Sequence, residues 1–373
     1  MVEWKKLGEV EDSGILTLGR GQVISKIDMN DCPGDFPVYS SSSQNNGEIG
    51  RYGKYMFDDE RITWSIDGGG KLFYRNGLKY SVTNVCGWLK VNDGNKLNTK
   101  FLYYLLFEEW TNIIFDYNHK AHPSVIRNEY QIPIIPLEEQ TRIVGILDTF
   151  TSAIDNLKEQ IAQRRKQYEY YRDQLLDLEG KPEQDIHCWG EFCKMEKGNG
   201  VQKVDFVEKG IGCIHYGQIY THYGSYAYET NKFVSEETFA KAKKASKGDV
   251  ILTDTSENVE DICKSVAWLG DDIAVSNHAL IIKHNQNPKF LSYSTQTNSF
   301  FLQKRKVVVG VKVSGIKPDD LAQIKIYLPA LSEQQCIVSI LDTFEASIQN
   351  LEAQLKEREK QYEYYRNKLL TFE

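Results

Sequence analysis

The chain has 373 residues, which suggests two or three domains. Its 41% hydrophobic and 12% aromatic content is enough to fill cores, which sets disorder aside. The net charge of −7 is unevenly spread: residues 138–179 carry six Lys/Arg against nine Asp/Glu, residues 332–373 five against eight, and everything else sums to −1.

The N-terminal block, residues 1–131, mixes strands and helices. A polar segment, Tyr39-Ser40-Ser41-Ser42-Ser43-Gln44-Asn45-Asn46-Gly47, is followed by Arg51 and Lys54. Small hydroxyls and amides of this kind bond base edges and phosphates, and glycine permits close approach. A solvated polar loop is the competing reading of the same residues. Residues 62–66, 72–74 and 78–82 read as strands, with Asn76-Gly77 as a hairpin turn between the last two. Gly68-Gly69-Gly70-Lys71 is a glycine-rich turn without the hydroxyl and first glycine of a phosphate loop. Residues 97–118 read as a helix capped by Asn98.

Residues 132–180 and 326–373 are two copies of one long helix. Residues 138–179 align without gaps on 332–373 and are identical at 24 of 42 positions, including Gln167-Tyr168-Glu169-Tyr170-Tyr171-Arg172 with Gln361-Tyr362-Glu363-Tyr364-Tyr365-Arg366. Leu147, Phe150, Ile154, Leu157, Ile161, Arg164, Tyr168 and Tyr171 fall at alternating spacings of three and four, and so do Leu341, Phe344, Ile348, Leu351, Leu355, Arg358, Tyr362 and Tyr365. This is a heptad seam, and the second copy is the natural partner of the first. Heptads do not reveal whether the pair runs parallel or antiparallel. One seam position is an arginine in both copies, Arg164 and Arg358, which either fixes register or snorkels outward. Pro136 with Glu138-Glu139 suits a helix start, and Ser332-Glu333-Gln334-Gln335 reads as a capping box.

Residues 181–325 form a second mixed block that echoes the first. Trp4 aligns with Trp189, Thr83-Asn84 and Asn92 with Ser276-Asn277 and Asn285, and Lys100-Phe101-Leu102 with Tyr104 aligns with Lys289-Phe290-Leu291 with Tyr293. The segment His215-Tyr216-Gly217-Gln218-Ile219-Tyr220 interleaves aromatics with hydrogen-bonding groups, so Tyr216 and Gln218 are candidate base contacts. Lys241, Lys243, Lys244 and Lys247 form a basic cluster able to neutralise phosphates, or a solvated helix face. Lys304-Arg305-Lys306, with Lys312, leads into Val307-Val308-Val309, a strand with a basic approach. Residues 250–252 and 278–283 also read as strands.

Catalytic signatures are missing. Asn287-Pro288-Lys289-Phe290 lacks the second proline of an amino-methyltransferase motif and reads as a helix start. No H-E-x-x-H or G-x-G-x-x-G occurs, and neither His119-Lys120-Ala121-His122 nor His187-Cys188 with Cys193 has a four-ligand zinc spacing. The seven cysteines form no C-x-x-C pair and read as reduced. No apolar run is long enough to cross a membrane, and Met1-Val2-Glu3-Trp4-Lys5-Lys6 lacks a secretion-signal core, so a cytoplasmic location without membrane contact is expected.

The repeated strings Pro136-Leu137-Glu138-Glu139-Gln140 … Ile143-Val144 … Leu147-Asp148 and Leu331-Ser332-Glu333-Gln334 … Ile337-Val338 … Leu341-Asp342, with Phe36-Pro37-Val38-Tyr39-Ser40 and Cys213-Ile214-His215-Tyr216-Gly217, resemble the specificity subunits of Type I restriction–modification systems over nearly the whole chain. The resemblance implies an α+β architecture. Two similar α/β target-recognition domains would be separated by two long helices pairing as an antiparallel coiled coil with pseudo-twofold symmetry. Each domain would read half of a bipartite, asymmetric double-stranded DNA target, the helices setting the spacer. Two methyltransferase subunits, which bind S-adenosylmethionine, would dock on the helices, and two restriction/translocase subunits would complete the complex. The chain itself would be a non-enzyme without cofactor or metal. Alternatives are a specificity subunit of a related defence system and a non-catalytic coiled-coil adaptor.

Overall fold

The computed structural model describes residues 2–42, 45–67, 71–116, 119–310 and 314–372, with only the backbone of Thr111. Packing divides the chain into two units, Met1–Lys158 with Gln354–Glu373, and Glu159–Ala353. The two long helices, Leu137–Leu176 and Leu331–Leu370, are therefore each divided between the units.

In the first unit, strands Leu16–Arg20, Cys86–Val91, Arg61–Ser65 and Leu72–Arg75 form an antiparallel sheet in that order. A second sheet places Phe36–Tyr39 between antiparallel Glu48–Tyr52 and parallel Ser81–Val82. The second unit repeats both. Cys193–Lys197, Ala279–His284, Val250–Thr253 and Ser265–Trp268 follow one another antiparallel. Ile211–Ile214 lies between antiparallel Phe233–Val234 and parallel Ile273–Val275. The pair Glu3–Lys6 with Gln131–Ile134 recurs as Ile186–Cys188 with Lys325–Tyr327. One fold thus occurs twice in the chain.

The structure corrects several alignments and elements. Trp189 occupies the place of Leu7, not Trp4: Leu7 N–H donates to Tyr130 O (3.0 Å) and Trp189 N–H to Ile324 O (3.1 Å). Asn76-Gly77 is a turn, with Gly77 in the left-handed region, but no hairpin follows. Leu72–Arg75 pairs back onto Arg61–Ser65, while Tyr80 and Val82 are buried with Tyr39 and Cys86, drawing Ser81–Val82 into the other sheet. Residues 298–307 are a helix, not an approach to a strand. Ser332 lies inside its helix, which starts at Leu331, so it is no N-cap. Asn98 and Asn287 do cap helices Thr99–Glu109 and Pro288–Ser294, each accepting from the two amides that follow Thr99 and Pro288.

In both units the two long helices pair antiparallel. In the first, Phe150 stacks on Tyr365 (5.3 Å between centroids) and Lys158 pairs with Glu359. In the second, Tyr171 stacks on Phe344 (5.4 Å) and Arg165 pairs with Glu352. Each seam arginine lies over the phenylalanine of the facing helix and donates to a glutamine one turn on: Arg358 over Phe150 with Gln361, Arg164 over Phe344 with Gln167. This favours snorkelling over a buried register pin.

In each unit a helix packed on a sheet, Thr99–Glu109 or Pro288–Ser294, is fastened to a long helix by the same clamp. Lys100 Nζ donates to Asp148 Oδ2 (2.8 Å) and Tyr104 Oη to Asp148 Oδ1 (2.5 Å). Lys289 and Tyr293 grip Asp342 identically, at 2.8 and 2.7 Å. Burial, reinforced by the neighbouring carboxylates, pushes both phenols up, so they remain donors. Alongside, the buried Gln140 accepts from Asn98 N–H (2.8 Å) and donates to Lys96 O and Ile135 O. Gln334 accepts from Asn287 N–H (3.0 Å) and donates to Gln286 Oε1 and Pro329 O. Apart from the different acceptors of the two glutamines, the clamps differ where Glu345 stands in the place of Thr151 and accepts from Ser225 Oγ.

Replacing Asp148 or Asp342 by Ala leaves a lysine and a phenol without their acceptor and should cost about 1–3 kcal/mol in urea unfolding; a loss within error would remove the clamp from the list of stabilising contacts. Burial, above all, holds the Glu345 carboxyl above its ordinary 4.5. The folded state therefore binds this proton more tightly, and the associated stability is present below 4.5 and lost as pH rises through the raised value. Glu345→Gln should abolish that part of the pH slope, measured as the variant-minus-parent difference in urea midpoints.

Candidate nucleic-acid interface

The sequence candidates 39–47 and 215–218 sit at the same place in the two copies of the fold. Each leaves the C-terminal end of the strand that has a parallel neighbour, the first as a loop and the second as a short helix, and connecting chain at such ends is free to carry binding groups. In the first unit Thr83 N–H donates to Tyr39 O (2.9 Å) and the hydroxyls of Ser40 and Thr83 bond each other (2.7 Å). In the second, Ser276 N–H donates to Ile214 O (3.0 Å) and Tyr216 N–H to Ser276 Oγ (2.9 Å).

In the first unit the segment closes through Ser40 N–H to Gly47 O (2.9 Å). Asn45 and Asn46 take left-handed backbone (φ 46° and 55°), which asparagine tolerates better than most residues. Ser41 is half-buried and Asn45 exposed; Ser43 and Gln44 lie outside the described residues, as do Gly68, Gly69, Gly70 and Lys312. Beneath the segment lies Arg75, only 2% exposed, which sequence reasoning missed. Its guanidinium sits 3.5 Å from the centre of the Tyr39 ring and donates to Asn46 O (2.7 Å) and Thr63 Oγ1 (3.2 Å). Among the described residues its hydrogen-bond acceptors are neutral, and burial lowers its pKa. Arg51 is exposed but already engaged with Glu48 (3.2 Å) and Asp35 O (2.9 Å), whereas Lys54 is exposed.

In the second unit Tyr216 opens a short helix, Tyr216–Thr221, its ring between His215 (4.4 Å) and His278 (5.2 Å). The buried His215 accepts from Gly217 N–H through Nδ1 (3.2 Å), and burial, with Lys203 and His278 nearby, lowers its pKa. Gln218 spends its amide inside the unit, accepting from His215 N–H (2.9 Å) and donating to Asn231 (2.7 Å).

The basic cluster is outward-facing. Lys243 is exposed, 3.4 Å from Glu196, and Lys194 together with Lys243 holds that carboxyl low. Lys244 is exposed and lies over Phe239 (4.5 Å). Arg305 is exposed, but Lys304 is not a surface cation. It is 4% exposed, with its ammonium donating to Glu260 O (2.8 Å) and Ile262 O (2.6 Å), and burial lowers its pKa. The expectation that it faces phosphate is corrected: Phe300 and Lys304 share the inner face of their helix at i, i+4 spacing.

Among the described residues no group of His, Cys, Asp and Glu is arranged to hold a metal ion, and no helix is long and apolar enough to cross a membrane.

Residues 1–164 and 188–359 match the family described as "Type I restriction modification DNA specificity domain". Over 96% of both chains, the protein is 28% identical to a type I specificity subunit of Mycoplasma pneumoniae. It is 26% identical to a type I restriction enzyme specificity subunit of Haemophilus influenzae, covering 100% of this chain and 96% of the relative. Its fold resembles the crystal structure of a Type-I restriction-modification system S subunit from M. genitalium (TM-score 0.62, 16% identity, covering 100% and 97% of the two chains).

Replacing Lys243 and Lys244 together by Ala should weaken binding to all DNA sequences alike and reduce the slope of log K against log salt by roughly two; an unchanged slope would strike them from the phosphate contacts. Lys304→Ala should leave the slope alone and instead lower the urea midpoint.

Proposed function

The chain belongs to the Type I restriction–modification DNA specificity family, and from that premise we propose how it divides the work of recognition. Specificity for DNA is the function of the chain. Each unit reads one half of a split, asymmetric target in double-stranded DNA, through the segments that leave the parallel strands. The long helices set the unread spacer and dock two methyltransferase subunits, which hold S-adenosylmethionine and modify adenine. Two restriction/translocase subunits complete the assembly. The chain contributes neither a catalytic group nor a cofactor of its own.

One observation carries most of this reading. The same fold is fastened to the same helix repeat by the same Lys–Tyr–Asp clamp, while the segments at the equivalent tips differ in sequence. Equal frames with unequal tips suit two different half-sites held at fixed spacing. The helix repeats carry six of the seven net negative charges, which repel phosphate and suit protein docking. Tyr170 and Tyr364 stand exposed at equivalent positions, offering the same aromatic anchor twice.

Co-expression with the methyltransferase subunit of its system, followed by mapping of methylated genomic sites, should give one bipartite asymmetric motif with a constant spacer. Leu157→Glu with Leu351→Glu, both half-buried seam positions, should abolish methylation at that motif while weak, sequence-independent DNA binding survives. Equal loss of both activities would count against a spacer-setting role.

A further inference from the structure

The duplicated fold allows its tips to be compared position by position. In the first unit Ile66 N–H donates to Val85 O (3.0 Å) and Ile66 O accepts from Ala121 N–H (3.1 Å). In the second, Asp254 N–H donates to His278 O (3.2 Å) and Asp254 O accepts from Ile316 N–H (3.0 Å). The main-chain connections are the same, so Asp254 stands where the first unit has Ile66, and His278 where it has Val85. An apolar pair has become an ionisable pair without change of frame.

That pair is not explained by folding alone. The Asp254 carboxyl is 4% exposed, and only one of its oxygens is engaged, with Lys197 Nζ at 2.9 Å. Oδ1 has no hydrogen-bond partner among the described residues, and His278 Nδ1 stands 3.9 Å from it. A buried carboxylate oxygen left without a donor costs free energy, and such a group calls for an explanation. His278 is 49% exposed and holds left-handed backbone at φ 66°, a conformation uncommon for residues with a side chain. Its ring meets Tyr216 edge-on (5.2 Å, 71°). At 3.9 Å Nδ1 faces Asp254 without a hydrogen bond; a protonated ring would be drawn to that carboxylate through Nδ1 and keep Nε2 for a ligand.

His278 also borders a cleft of about 540 Å³, lined by Tyr216, Tyr220, Thr255, Asn258 and others. Asn258 spends its amide on Asp261, and Tyr220 its hydroxyl on Thr255 O. What the cleft presents is therefore the ring faces of Tyr216 and His278, the hydroxyls of Thr255 and Ser256, and the acidic side chains of Glu257 and Asp261. Rings stack on bases, and hydroxyls and carboxylates bond base edges, the carboxylates choosing an amino-group donor. We propose that His278, oriented by Asp254 and flanked by Tyr216, reads one base-pair edge in the half-site taken by the second unit, and is a specificity-determining residue of that half. This rests on the DNA-reading function proposed above. Asp254 acts through His278 and is a positioning residue.

The test uses the complete chain co-expressed with its methyltransferase subunit and mapping of methylated sites. His278→Asn is the leading variant because asparagine tolerates the left-handed backbone; Asp254→Asn is the second. Both should relax preference at the same one or two adjacent base pairs of a single half-site. Methylation of sites altered there should rise roughly ten-fold, the size of one lost base contact. The other half-site and the spacer should be unchanged, an outcome that general misfolding would not produce. A parental motif with both variants methylating the identical set of sites overturns the assignment and leaves the recognition reading standing. Uniform weakening at every site overturns it too, because it marks His278 as a phosphate contact or a structural residue. A parental chain that yields no bipartite motif overturns the recognition reading, and this assignment with it.

Discussion

A carboxylate on each long helix, gripped at once by an ammonium and a phenol, fastens to it a short helix that packs on a sheet of its unit. Asp148 and Asp342 do this in the same way. A charge-assisted hydrogen bond is shorter and stronger than a neutral one and directional enough to fix an angle. Beside it a buried glutamine amide satisfies the first backbone groups of the recognition helix. Apolar contacts such as those of Leu147 and Leu341 hold the two surfaces together without specifying how they are turned. The polar clamp supplies that orientation.

The tips obey a different economy. Arg75 buries a cation beneath the first unit's polar segment, held by a ring and neutral oxygens. In the second unit a buried carboxylate lies beneath His278. Each places an ionisable group close under a surface, Asp254 offset by Lys197 and Arg75 held by neutral acceptors, where a low dielectric strengthens whatever charge remains unpaired. The net acidity of the chain is therefore a poor guide to these places, because it is a property of the helices.

The helix repeat was legible because identity and heptad spacing coincide over 42 positions. Its antiparallel sense was not, since a heptad reads the same in either direction; the Phe150–Tyr365 and Tyr171–Phe344 stacks reveal it. The match of Lys100 and Tyr104 with Lys289 and Tyr293 was visible, but its purpose required seeing Asp148 and Asp342, more than 40 residues downstream in each case, as the shared acceptors. A two-residue parallel strand, Ser81–Val82, carries too little pattern to compete with an Asn-Gly turn signal. Lys304 looked like surface because its neighbours are charged; the signal to the contrary was its i, i+4 relation to Phe300. His278 was within reach, for aligning Thr83-Asn84 with Ser276-Asn277 already sets Val85 against it.

The connections that shape each tip run through amides and carbonyls: Thr83 to Tyr39, Ile66 to Val85, and their counterparts Ser276 to Ile214, Asp254 to His278. Main-chain bonds are blind to the side chains they carry. The side chains of one unit's tip can accordingly be exchanged codon by codon while its main-chain frame, and the whole of the other unit, stay as they are.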